Sequence, residues 1–149
     1  MNLIYYIVAV LIGAIASIQV GVNSSLKLTT GNALYATFTN FTVGWIAVFI
    51  LVLIESKGNL GMVFGTILSA DKWKLVGGLL GASFVTSLVI IAPKIGMTST
   101  LTLVIAGQII LAMILDHFGW LGMHQQPISW MKIIGVMIMV VGVYIVQTN

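Results

Sequence analysis

Residues Trp73–Trp120 read WKLVGGLLGASFVTSLVIIAPKIGMTSTLTLVIAGQIILAMILDHFGW. The stretch holds two apolar runs, Leu75–Ala92 and Met97–Leu115, and neither contains a charged residue. Only Pro93-Lys94-Ile95-Gly96 joins them. A joint this short allows a tight turn and nothing larger, so the runs are expected to form an antiparallel helical hairpin. The first run carries Gly77-Gly78-Leu79-Leu80-Gly81, and the second carries Gly107-Gln108 near its middle. Asp116-His117-Phe118-Gly119 closes the far end. The chemistry on offer is small residues for close packing, one amide among leucines, and one carboxylate at the edge of an apolar run.

Composition says what solvent surrounds these runs. Of the 149 residues, 60% are hydrophobic and 6% are charged, whereas soluble chains carry about a quarter charged residues. Too few charges remain to solvate a globule, so the chain is read as an all-α integral membrane protein. Six lysines against three acids give a pI of about 9.4. There is no arginine and no basic cluster, so the basicity belongs to lysines flanking membrane spans and no nucleic-acid partner is expected. The absence of cysteine excludes disulfides and thiol-ligated metals.

Three further apolar runs flank the central pair. Leu3–Val22 has about the 20 residues needed to cross roughly 30 Å of hydrocarbon. Ala14-Ile15-Ala16 has the look of a signal-peptide cleavage site, but no Lys or Arg precedes the run and more spans follow it. On a helix, Gly13, Ser17 and Gly21 fall on one stripe and Gln19 with Asn23 on another. Lys27 then falls in a short polar connection before the second run, 33–54. There Ala33, Ala36, Thr37, Asn40, Gly44 and Ala47 share a face, for helix contact or for lining a cavity. The segment 60–68 is apolar but too short to span, and an interfacial or partly re-entrant helix is expected. The last run, 128–147, spaces Gly135 and Gly142 by a heptad. Trp73, Trp120, Trp130, Tyr5 and Tyr144 sit near run ends, as interfacial aromatic belts would place them.

The expected fold is therefore a single transmembrane domain over 1–149, with spans at 3–22, 33–54, 75–92, 97–115 and 128–147. Lys57, Lys72, Lys74 and Lys132 lie on the N-terminal side of the membrane and Lys27 and Lys94 on the other. That bias favours a cytoplasmic N-terminus and is slight enough to leave dual topology open.

No phosphate-binding loop, nucleophile elbow or buried acid–base pair appears, so neither an enzyme nor a cofactor is expected. Asp116, His117 and His124 can be drawn together as a metal site, but loop histidines more often sit in water, and no metal is expected. Asp116 ends a helix where the macrodipole disfavours negative charge, so a specific partner or a raised pKa is expected of it.

Several elements in order resemble a known family: Gln19-xxx-Asn23-xx-Leu26, Trp73 followed by Gly77-Gly78-Leu79-Leu80-Gly81-Ala82, Pro93-Lys94-Ile95-Gly96, Gly107-Gln108, Asp116-His117-Phe118-Gly119, and Gly135 with Gly142. The set is similar to the YdcZ-type family of small bacterial inner-membrane proteins, described as exporters within the drug/metabolite transporter superfamily. The resemblance implies a five-helix transporter unit. Small multidrug members of that superfamily carry a Glu in their first helix, and Leu3–Val22 has no acid. Proton-coupled export of lipophilic cations by that route is therefore not expected.

The function expected is small-molecule transport, as an exporter of neutral or zwitterionic solutes. Gln19, Asn23, Asn40 and Gln108 are the candidate cavity amides, and Asp116 is the candidate coupling or gating acid. Gly13, Ser17, Gly21, Gly77, Gly78, Gly81, Gly107, Gly135 and Gly142 are the candidate packing positions. The partners expected are the lipid bilayer, a small-molecule substrate and a second copy, antiparallel or parallel, with the site between copies. The competing reading is an accessory subunit of another membrane complex, with the amides serving as interhelical glue.

Overall fold

The computed structural model describes residues 3–148, which are helical almost throughout. In chain order the helices are α1 (Leu3–Thr30), α2 (Ala33–Glu55), α3 (Leu60–Ser69), α4 (Val76–Ile95), α5 (Met97–Phe118) and α6 (Trp130–Thr148). A turn of 3-10 helix at Lys72–Leu75 leads into α4, and another at Trp120–Gly122 follows α5. Five of these segments are long and apolar enough to cross a membrane, and α3 is the short one. The chain is an all-α integral membrane protein. It divides into two compact units, Met1–Pro93 and Lys94–Asn149.

Three of the boundaries that differ from the sequence expectation have a clear local reason. α1 continues past Val22 for two more turns and includes Lys27. Nothing in Asn23–Thr30 breaks a helix, and Thr30 returns its hydroxyl to the Leu26 carbonyl at 3.0 Å, which keeps the polar turn closed. The chain reverses only at Gly31-Asn32, where the Asn32 side chain caps α2 by accepting from the Leu34 N–H at 2.8 Å. α4 runs through Pro93 to Ile95, so the tight turn expected over four residues shrinks to Gly96. Gly96 has φ 86°, the left-handed region that only glycine enters freely. α6 starts at Trp130, not at Ile128, because Ser129 caps it, accepting from Lys132 N–H at 3.3 Å.

In the first unit α1 packs along α2. The buried residues are Val20 and Asn23 of α1, Ala36 and Thr37 of α2, and Leu88, Val89 and Ala92 of α4. Thr86 Oγ1 lies 2.8 Å from the Ala82 carbonyl and 3.2 Å from Thr37 Oγ1. Its one proton serves the shorter bond, which leaves Thr37 as donor of the other and ties α2 to α4. In the second unit α5 packs on α6, and Gln147 Nε2 donates to the Ser99 carbonyl at 3.2 Å near one end of that pair.

Alanines, not glycines, occupy the buried packing points: Ala36, Ala92 and Ala106. A Cβ added at Gly13, Gly77, Gly78, Gly81, Gly107, Gly135 or Gly142 would meet no atom within 4 Å. Within one chain these glycine faces stay open. Ser17 turns its hydroxyl back to the Gly13 carbonyl at 3.1 Å.

Candidate functional site

The candidate amides separate into different surroundings. Gln19 of α1 and Asn40 of α2 come together in a groove of about 580 Å³, lined otherwise by α2 residues from Phe41 to Val48. α1 packs along α2, with Gln19 one turn before buried Asn23 and Asn40 one turn after buried Thr37. No hydrogen bond crosses from Asn40 to a neighbouring helix among the described residues. The groove is otherwise apolar and carries no ionisable side chain.

Asn23 is sealed. It is 2% exposed, and its Oδ1 has no hydrogen-bond partner; neither has the Ser24 Oγ beside it. One turn further along α1, Lys27 Nζ donates to the Val89 carbonyl of α4 at 3.4 Å. Pro93 explains why that carbonyl is free. Residue 93 should supply the helical N–H to residue 89, and proline has none. A bare carbonyl inside a protein in hydrocarbon costs several kcal/mol by order of magnitude (roughly what an unmet amide costs). Lys27 meets that demand. Sequence reading assigned Lys27 to a loop and Pro93 to a turn, and so missed the pair. A proline inside a helical run leaves the carbonyl four residues back in search of a donor, whatever side chain stands there.

The second unit holds the acid. Asp116 of α5 and Lys132 of α6 line one cleft of about 500 Å³ with Ile109, Ala112, Met113 and Gly135 among its walls. Lys132 of the facing helix is thus the cation nearest in kind to a partner for Asp116 along this cleft. They share the cleft without an ion pair; among the described residues the one ion pair is Lys74–Asp71, at 2.8 Å on the surface. The segment after α5 folds back onto this end. Gln126 N–H donates to the Asp116 carbonyl at 2.7 Å, Gln125 Nε2 to the His117 carbonyl at 3.0 Å, and Ile128 N–H to His117 Nδ1 at 3.2 Å. Gly119, at φ 63°, makes the reversal possible. His117 is thus an anchor for the loop, and no group of three or more His, Cys, Asp or Glu able to hold a metal occurs among the described residues. Gln108 is exposed on α5 and lines neither this cleft nor the amide groove.

The comparisons with known proteins agree with one another. The family described as "Putative inner membrane exporter, YdcZ" matches residues 4–145. The "Inner membrane protein YdcZ" of Escherichia coli (strain K12) is 31% identical over 119 residues, covering 79% of this chain and 77% of that protein. No solved structure matches. That description is of an inner-membrane exporter and names no enzyme activity. Matched from the first turn of α1 to the last turns of α6, this multi-pass inner-membrane chain belongs to the YdcZ family.

Proposed function

We propose that the protein exports a neutral or zwitterionic small molecule, and that its working unit is a homodimer with the solute site between two copies. The observation that carries this is the groove holding Gln19 and Asn40. Both side chains are set in membrane-spanning helices and are left uncovered by their own chain. Amides facing hydrocarbon are costly, so the groove is closed by a second copy around a water- or solute-filled space. The open glycine faces support the same reading, since they give a partner helix room to approach closely. The absence of an ionisable group from the groove suits a solute without net charge.

The favoured arrangement of the two copies is antiparallel, because transporters built from opposed repeats place the site between them, and a single odd-span chain reaches that geometry only by inserting both ways. The slight lysine bias, with a cytoplasmic N-terminus in the commoner orientation, allows it. Asp116, in its cleft with Lys132, is the candidate for coupling or gating.

Purified protein in liposomes is expected to move at least one solute from a broad metabolite panel, with Gln19→Ala and Asn40→Ala slowing it. Movement of none removes the transporter reading. Single cysteines at Ser56 and at Asn149, which lies outside the described residues, are expected each to label partly with an impermeant thiol reagent on intact cells. Full labelling at one and none at the other excludes the antiparallel homodimer.

A further inference from the structure

Donors and acceptors do not balance around the Lys27–Val89 bond that joins α1 to α4. Lys27 carries three N–H donors and spends one, on the Val89 carbonyl. One turn before it, the buried Asn23 Oδ1 and Ser24 Oγ accept nothing. Donors are in excess at one end of the turn and acceptors at the other.

We propose that Asn23, Lys27 and the Val89 carbonyl form a binding site for an α-amino acid in its zwitterionic form. This rests on the transporter reading, adds within one chain a station for the solute apart from the groove of Gln19 and Asn40, and names the substrate class. The Val89 carbonyl, deprived of its helical donor by Pro93, already accepts a primary ammonium, that of Lys27. The bond is 3.4 Å long, against about 2.7–2.9 Å for a good charge-assisted pair. An amino acid presents the same chemical group. Its ammonium replaces Lys27 on the Val89 carbonyl and gives a second N–H to Asn23 Oδ1. The displaced Lys27 ammonium then pairs with the solute's carboxylate, on a stem flexible enough to follow it. Asn23 and Lys27 are one turn apart, about 6 Å along the helix, within reach of one amino-acid head group.

Other charge types fit less well. A bare cation is repelled by Lys27 and finds no acid on α1, α2 before Glu55, or α4 to balance it. A bare anion satisfies Lys27 and leaves Asn23 Oδ1 unmet. A zwitterion answers both ends and adds no net charge to a span. Because Asn23 Oδ1 is closed off here, the solute enters as α1 and α4 part, and Lys27–Val89 is the bond that opens.

The test is equilibrium binding and ligand-dependent thermal shift on the purified full-length protein in lipid nanodiscs. The probes are L-leucine and L-glutamine, each with its amide, which lacks the carboxylate, and its deamino acid, which lacks the ammonium. One or both amino acids are expected to bind at least about tenfold more tightly than either analogue, a difference that one lost charge-assisted bond produces. Lys27→Met is expected to abolish the preference for the amino acid over its amide. Pro93→Ala returns the helical N–H to Val89, so it should raise heat stability and yet weaken amino-acid binding by about tenfold. A role that is only structural does not join those two effects. Wild type that binds neither amino acid overturns the proposal, as does a Pro93→Ala variant that is stabilised with binding unchanged. If liposomes move a different solute and Lys27→Met leaves that movement intact, transport stands and this site falls. If they move nothing, it is the transporter reading that falls.

Discussion

Lys27 and Lys132 each donate to a backbone carbonyl next to the reach of one of the two prolines, and the two bonds differ in kind. Lys27 reaches 62 residues along the chain to Val89 on another helix, at 3.4 Å and partly buried. Lys132 reaches back five residues to Pro127 itself, at 3.5 Å and exposed. Pro93 lies inside α4 and removes a donor that a helix needs, whereas Pro127 lies in a loop where its carbonyl meets the surroundings freely. The same residue pair, proline with lysine, therefore holds helices together in one place and merely tidies a loop in the other. What decides is whether the carbonyl has any other donor.

The largest expected effect breaks the first bond. Lys27→Met strands the Val89 carbonyl and should cost about 1–3 kcal/mol, the usual penalty of a buried group left unmet. It should show as a lower midpoint of thermal unfolding at fixed lipid and detergent, while Lys132→Met leaves the midpoint in place. In a Pro93→Ala background the Lys27→Met loss should nearly vanish, because the helix then supplies its own donor. Equal losses in both backgrounds would break the comparison.

A smaller effect sharpens the loop side of it. His117→Ala removes the acceptor for Ile128 N–H and should cost about 0.5–1.5 kcal/mol. Hydrogen exchange at Ile128 should quicken, with the core of α5 unchanged. If exchange stays slow, the loop does not depend on that imidazole.

The smallest effect concerns the open faces. Gly77→Ala and Gly81→Ala clash with nothing in the chain, and each should stabilise α4 by up to about 1 kcal/mol from helix propensity. If a second copy packs there, the dimer fraction in light scattering falls even as the single chain gains stability. An unchanged dimer fraction places the interface on another face.

Much of the fold was legible because hydrocarbon thickness imposes a length on apolar runs, and Met97–Leu115 or 33–54 could hardly be anything else. Element ends were less legible. A helix need not stop where polarity begins, and Asn23–Thr30 continues α1 because its side chains can bond back to the turn before. The site was legible by residue type and not by neighbour. The pairing of Gln19 with Asn40, and of Asp116 with Lys132, depends on how helices pack, which sequence spacing within one helix does not encode. Lys27 was hidden for a different reason: its partner is a main-chain oxygen, visible only as the shadow of a proline four residues later.

The length of α1 has a consequence for the lipid. Its 28 residues extend about 42 Å, against roughly 30 Å of hydrocarbon. Leu3–Val22 fills the apolar slab, and the remaining turns carry Asn23 and Lys27 out beside the headgroups. Asn23 is shielded by the protein whatever the lipid, so acyl-chain length acts on half-buried Lys27, whose ammonium longer chains draw toward oil and shorter ones leave among headgroups. The thickness of the host membrane thus bears on the end of α1 that holds Lys27 to the Val89 carbonyl.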